Sequence, residues 1–185
     1  MRETESIPSW YMRDALVLGC GNVLFGDDGF GPRVVEQLQT NGRLPENAEA
    51  LDVGTGVREI LFTILLAEKK PRLIVLVDCA DRGGPPGALR QLAVEEIPAT
   101  KQADLSLHQV PTSNLLRELR DGCGVAVVIL VVQPECIPEV VRPGLSPSVV
   151  NAVQPACQII GEIVSQRVNL LLEGTCDGNR EPALE

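Results

Sequence analysis

Apolar and polar positions along this chain fall into two alternating rhythms. Ala15-Leu16-Val17-Leu18 is a compact apolar run that stops at a glycine-rich stretch, Gly19-Cys20-Gly21-Asn22-Val23-Leu24-Phe25-Gly26-Asp27-Asp28-Gly29-Phe30-Gly31. Beyond it the period lengthens: Val34, Val35 and Leu38 share one helical face, with Pro32 tolerated in a first turn, and the pattern predicts a helix to about Gln39. A strand is expected near Ala48 to Val53, ending in Gly54-Thr55-Gly56. A helix from Val57 to about Lys69 follows, with Ile60, Leu61, Ile64 and Leu65 apolar and lysines at its end, where the helix dipole favours cations. Leu73 to Val77 is unbroken β-branched and aliphatic, the signature of a strand covered on both faces.

The second half repeats the alternation less regularly. Gly83 to Gly87 is a turn, and Ala88 to Leu92 reads as a short strand at the sheet edge. Residues 93–107 form a long connection, a kind of segment that often serves function. A helix over about Thr112 to Arg120, a buried strand over Gly124 to Val132, a proline-rich loop over Gln133 to Pro147 and a long amphipathic helix over Ser148 to about Leu172 complete the pattern. Residues 1–13 are expected to be a flexible leader, 14–172 a single α/β domain and 173–185 a flexible tail. Strands alternating with helices imply a mostly parallel, twisted sheet of about five strands sandwiched between helices, joined by right-handed crossovers.

Composition narrows the function. Sixteen basic against 25 acidic residues give a net charge of −9, which disfavours nucleic acid and anionic membranes as partners. Three Phe, one Tyr and one Trp are too few for a base-stacking platform. No apolar run reaches the roughly 18 residues of a membrane span, and the polar start Met1 to Pro8 is unlike a signal peptide. The six cysteines are scattered without a C-x-x-C pair, which removes the common zinc-knuckle spacing and points to reduced, packed thiols. A cytoplasmic protein is expected.

The glycine-rich stretch looks at first like a nucleotide turn, yet it fails the test. The third glycine of G-x-G-x-x-G, which allows close helix–strand packing, is replaced by Leu24. There is no G-x-x-x-x-G-K-[ST] loop either. Asp27 and Asp28 sit where a pyrophosphate would lie, and they would repel it. The turn suits a cation. One of the pair could instead cap the helix, a common use of Asp.

Topology brings other groups to the same place. Ligands of open α/β sheets collect at the carboxyl ends of strands, at a switch point. Asp28 follows the first strand and Asp78 ends the third. If those strands are neighbours, as in flavodoxin-like orders, the two carboxylates converge. His108, the single histidine, falls in Leu105 to Val110 on the same side. Two Asp and one His form a plausible open site for a borderline divalent metal, with a vacancy for water or a partner's atoms. Cys20 and Cys79 lie at strand ends nearby, but His108 is the only imidazole that could activate either thiol, and inert packing is the simpler role. No G-x-S-x-G turn is present.

The ordered stretches "LVLGCGNVLFGDDGFG", "DVGTG", "LIVLVDCADRGGPPG" and "LSLHQV" strongly resemble those of the nickel–iron hydrogenase maturation endopeptidases, across residues 15 to about 165. The resemblance implies a mostly parallel sheet between helices. It also implies removal of a C-terminal extension from a hydrogenase large-subunit precursor after nickel insertion. The family's metal-contacting acidic residue, strand-end Asp and later His map by motif onto Asp28, Asp78 and His108, which the resemblance makes the metal-contacting and catalytic set. Nickel would come with the substrate rather than be held permanently. The family's D-G-G-T-like turn is here Asp52-Val53-Gly54-Thr55, with Val53 in place of a small residue; Gly54 and Thr55 are candidates for orienting substrate, or simply for turning the chain into the next helix. The stretch from Gln133 to Ser146 is similar to that of proteases serving hydrogenases that reduce a deazaflavin coenzyme.

Two other functions compete. A non-catalytic nickel-binding checkpoint would use the same ligands, and tight metal binding without precursor processing would distinguish it. A nucleotide-binding module is opposed by Leu24 and the paired acids, and a failure to bind any nucleotide would close that reading.

Overall fold

A computed structural model describes residues 9–42, 44–97 and 110–173. Five strands form one sheet: β1 (Ala15–Cys20), β2 (Ala48–Gly54), β3 (Leu73–Cys79), β4 (Leu89–Leu92) and β5 (Ala126–Val132). Their spatial order is β2-β1-β3-β5-β4. The first four in that order run parallel, and β4 alone is antiparallel, pairing Leu89 with Val132 at the edge. β3 is central, with Val75 opposite Val17 on one side and Val128 on the other. All seven of its residues are buried, as its unbroken apolar run predicts.

Four helices cover the two faces: α1 (Phe30–Asn41), α2 (Val57–Leu66), α3 (Val110–Arg117) and α4 (Pro147–Glu173). Side-chain alternation along the strands divides the core in two. Ala15, Val17, Val75 and Val77 face α1 and α4, while Leu16, Leu18, Ile74 and Leu76 face α2 and α3. On α4 the buried positions Val149, Val153, Ala156, Ile160 and Val164 recur at three- and four-residue spacing, the stripe of a helix laid on a sheet. The layers are therefore helix, sheet, helix.

Several boundaries differ from the sequence pattern. β1 runs two residues past Leu18, because Gly19 and Cys20 still pair with Asp52 and Gly54 of β2. α2 ends at Leu66 rather than near Lys69: Ala67 already adopts an extended backbone. The Lys70 ammonium donates to the Ala67 carbonyl at 2.7 Å, so this lysine closes the helix from outside it. α3 ends in a wider turn over Glu118–Gly122. The long connection begins with a short turn at Val94–Glu96, and its residues 98–107 lie outside the described residues.

Strand order places the functional end. The chain leaves β1 toward β2 and leaves β3 toward β5, so the crevice between their carboxyl ends is the switch point of the sheet. No helix among the described residues is long and apolar enough to cross a membrane.

Candidate functional site

Close approach at the end of β1 is built from missing side chains. A Cβ on Gly21, whose φ is +120°, would lie 1.8 Å from the Asp28 carbonyl oxygen. Only glycine lets the segment after β1 fold back so tightly. A Cβ on Gly31 would lie 2.2 Å from the Cys20 carbonyl oxygen and 2.6 Å from that of Val77. Gly31 thus permits the tight helix–strand packing that a third fingerprint glycine would otherwise allow, seven residues beyond Leu24. The fold solves the same steric problem as a nucleotide turn and leaves carboxylates at the crevice.

Between these glycines, Gly26–Gly29 forms a single 3₁₀ turn leading into α1. Both of its aspartates are buried, Asp27 at 0% and Asp28 at 4% exposure. Neither forms a side-chain cap: the residue at the N-cap of α1 is Gly29, with no capping side chain. The capping alternative is therefore replaced by two distinct roles. Asp28 faces the strand ends, and its Oδ2 accepts from the Asn22 backbone N–H at 2.7 Å. Asp27 faces the loop after β5. Its Oδ2 accepts from the N–H groups of Glu135 and Cys136, both at 2.8 Å, and from the Ser146 hydroxyl at 2.9 Å. Its Oδ1 accepts from the Ser146 N–H at 2.6 Å.

Asp78 is 2% exposed at the end of β3, and its Oδ1 accepts from the Cys79 N–H at 2.7 Å. β1 and β3 are adjacent, so the neighbour relation on which convergence depends is present. The Cys20 thiol senses the result. Burial pushes its pKa well up, and the negative charges of Asp78, Asp52 and Asp28 push in the same direction. Cys79 is raised as well, first by burial and then by Asp78, Asp27, Asp28 and Asp81. Raised in this way, neither thiol sits in the charge environment that activates a reactive cysteine.

The Asp52-Val53-Gly54-Thr55 turn closes another side of the crevice. Asp52 Oδ1 accepts from the Gly54 N–H at 2.9 Å, and the Gly54 carbonyl accepts from the Gly21 N–H at 3.0 Å. A register shift between Gly19 and Cys20 accommodates Val53, which packs against the α2–α3 side of the core. Gly54 is thereby tied directly to the segment carrying Asp28, and Thr55 beside it is exposed.

The turn after Asp78 is held by a residue the sequence pattern did not single out. Gln133, at the end of β5, accepts through Oε1 from the N–H groups of Arg82 (2.7 Å) and Gly84 (3.2 Å). Its amide nitrogen donates to Asp81 Oδ1 at 2.9 Å. That bond and one from the Gly83 N–H hold the Asp81 carboxyl below its usual range. Asp27 was visible only as half of an acidic doublet, its partners lying more than a hundred residues away. His108 lies outside the described residues. Among the described residues, no three His, Cys, Asp or Glu side chains gather as a metal-holding group. Asp28, in the turn after β1, and Asp78, at the end of the neighbouring β3, are the two members of the expected set among the described residues, both buried, and carboxylate oxygens suit a divalent cation.

A family model described as hydrogenase maturation protease (HycI) matches residues 32–163. The chain is 36% identical over 153 residues to the coenzyme F420 hydrogenase subunit delta of Methanothermobacter thermautotrophicus, covering 81% of this chain and 94% of the relative. It is 33% identical over 145 residues to the hydrogenase 2 maturation protease of Escherichia coli, covering 77% and 85%. Among solved structures, the hydrogenase maturating endopeptidase HybD from E. coli superposes with a TM-score of 0.66 at 30% identity, covering 84% of this chain and 94% of the other. A crystal structure of the hydrogenase 3 maturation protease also reaches 0.66, at 24% identity, and shows the shared fold.

Proposed function

Because this chain belongs to the hydrogenase maturation protease family and is a peptidase of that kind, we propose that it removes the C-terminal extension of a nickel–iron hydrogenase large-subunit precursor. Cleavage follows nickel insertion, and the bound nickel is what the enzyme recognises. The observation that carries this reading is the pair of buried carboxylates, Asp28 in the turn that follows β1 and Asp78 at the end of the adjacent strand β3. Burying two acids at neighbouring strand ends is costly, and an incoming divalent ion offsets that cost.

In this reading nickel arrives as part of the substrate. Asp28 and Asp78, with His108, contact it and hold the precursor so that the scissile peptide lies in the crevice. The advantage is orientation: the reacting groups are fixed before the step, instead of meeting by chance. A metal so placed can polarise the peptide carbonyl. Gly54, bonded to Gly21, and the exposed Thr55 beside it orient the extended chain in this reading. The relative named as a coenzyme F420 hydrogenase subunit supports a deazaflavin-reducing hydrogenase as the substrate's owner, in line with the likeness of the Gln133 to Ser146 stretch.

The test uses purified precursor, with and without nickel loaded, incubated with this protein and followed by mass spectrometry. Loss of a C-terminal peptide from the loaded form alone supports the proposal. Equal cleavage of both forms removes nickel from recognition, and no cleavage of a matched loaded precursor sinks the protease role.

A further inference from the structure

We propose that Asp27 is a positioning residue: it buckles the loop of residues 133–147 onto the turn carrying Asp28, and so holds that loop as an apolar docking wall for the precursor. The inference rests on the protease reading above. Its first support is the bonding of Asp27, a fully buried carboxylate that takes four hydrogen bonds from three residues of one distant loop. The backbone repeats the link in both directions. Asp27 N–H donates to the Cys136 carbonyl at 3.2 Å, Gly26 N–H to the Arg142 carbonyl at 3.0 Å, and Arg142 N–H to the Leu24 carbonyl at 2.9 Å. Phe25 and Arg142 form a parallel bridge. Turn and loop are one stitched surface.

The second support is what that surface exposes. Of the eight large apolar side chains exposed among the described residues, five belong to it or border it: Val23, Leu24, Val140, Val141 and Val150. Val140 and Val141 are 70% and 63% exposed, in a loop whose backbone is otherwise pinned. Between turn, loop and α4 lies a cavity of about 280 Å³, lined among others by Val23, Gly29, Arg33, Leu145 and Val150. Clustered exposed apolar groups on an acidic protein mark an interaction face.

The occupant follows from position. Gly29 lines the cavity and directly follows Asp28 in the same turn, so this face begins one residue from the acid that the protease reading sets against the precursor. The partner is therefore the precursor polypeptide itself, contributing an apolar segment beside its scissile bond. The shared turn makes Asp27 and Asp28 a matched pair: one fixes the wall, the other faces the reacting end.

The proposal is tested with nickel-loaded precursor, comparing wild type, Asp27→Asn and the double variant Val140→Ser/Val141→Ser. Replacing the Asp27 carboxylate by an amide would set an NH₂ group against loop donors and release the loop. Native-state exchange of the Glu135, Cys136 and Ser146 amides should then quicken by about tenfold or more. KM should rise about tenfold while kcat stays within roughly threefold. The valine pair, exposed and safe for folding, should raise KM by roughly three- to tenfold with loop exchange unchanged. If Asp27→Asn does not fold, Ser146→Ala removes one donor and should give a smaller rise in KM.

An unchanged KM in the valine variant overturns the wall, and unchanged amide exchange in Asp27→Asn overturns the buckle. A fall in kcat alone overturns both, placing Asp27 in the chemistry. Self-association of the wild type that the valine variant abolishes, with KM unchanged, assigns the face to a second copy and also overturns the proposal. If wild type leaves the loaded precursor intact, the protease reading falls separately. Titrated binding of that precursor then decides the wall: weaker binding by both variants supports it, and equal binding overturns it.

Discussion

The outer and inner halves of the Gly26–Gly29 turn put the same side chain to opposite uses. Asp27 looks outward and is enclosed by donors from the loop after β5. Asp28 looks inward, folded against Gly21 and accepting from the Asn22 N–H just past the end of β1. Burial and residue type do not separate them, since both are nearly inaccessible. What separates them is whether the surroundings are loop amides or strand ends. An acidic doublet in such a turn is one structural acid and one candidate for chemistry.

The contrast can be broken most sharply at the inner half. If Asp78 and His108 orient the precursor as proposed, Asp78→Asn and His108→Ala should each lower kcat/KM on nickel-loaded precursor by roughly a hundredfold or more, with circular dichroism unchanged. Normal processing by a folded Asp78→Asn variant would remove that residue from the site. Gly21→Ala should cost more than about 2 kcal/mol in a urea melt, since a Cβ there meets the Asp28 carbonyl in a conformation L residues avoid. A neutral result would mean that the segment can open without loss.

Smaller effects sharpen the outer half. Gln133→Ala leaves Arg82 and Gly84 N–H groups without their side-chain acceptor and should destabilise by about 1–2 kcal/mol, measured by chemical denaturation. The least effect concerns the thiols. Cys20 and Cys79 bind their protons more tightly folded than unfolded. Their contribution to stability is complete below the unfolded thiol pKa of about 8.5 and falls as pH rises past it, because there the unfolded chain loses protons that the folded chain keeps. Thermal melts from pH 7 to 10 should show that decline. At pH 8 an alkylating reagent should label exposed Cys136 well before Cys20 or Cys79; early labelling of Cys20 would contradict its closed environment.

The fold was largely legible in the sequence because its central strands are pure apolar runs. Leu73 to Val77 reads as doubly covered, and it is the middle of the sheet. The ends were less legible. Lys69 and Lys70 suggested a longer α2, whereas Lys70 bonds to the carbonyl at which the helix has already turned away. Leu24 signalled a missing glycine, but Gly31 supplies that packing from a position no local motif indicates. The adjacency of β1 and β3, on which the meeting of Asp28 and Asp78 depends, could be anticipated from the alternating pattern. Asp27 and Gln133 could not, since their partners are fixed by tertiary approach between segments remote in sequence.

The central claim is that Asp28 works on the precursor while its neighbour builds the surface around it. Single-turnover cleavage of nickel-loaded precursor by Asp28→Asn, with folding verified and the C-terminal peptide counted by mass spectrometry, tests it most directly. The expected result is precursor that binds and stays intact over many wild-type half-times. Release of the peptide at the wild-type rate would contradict it.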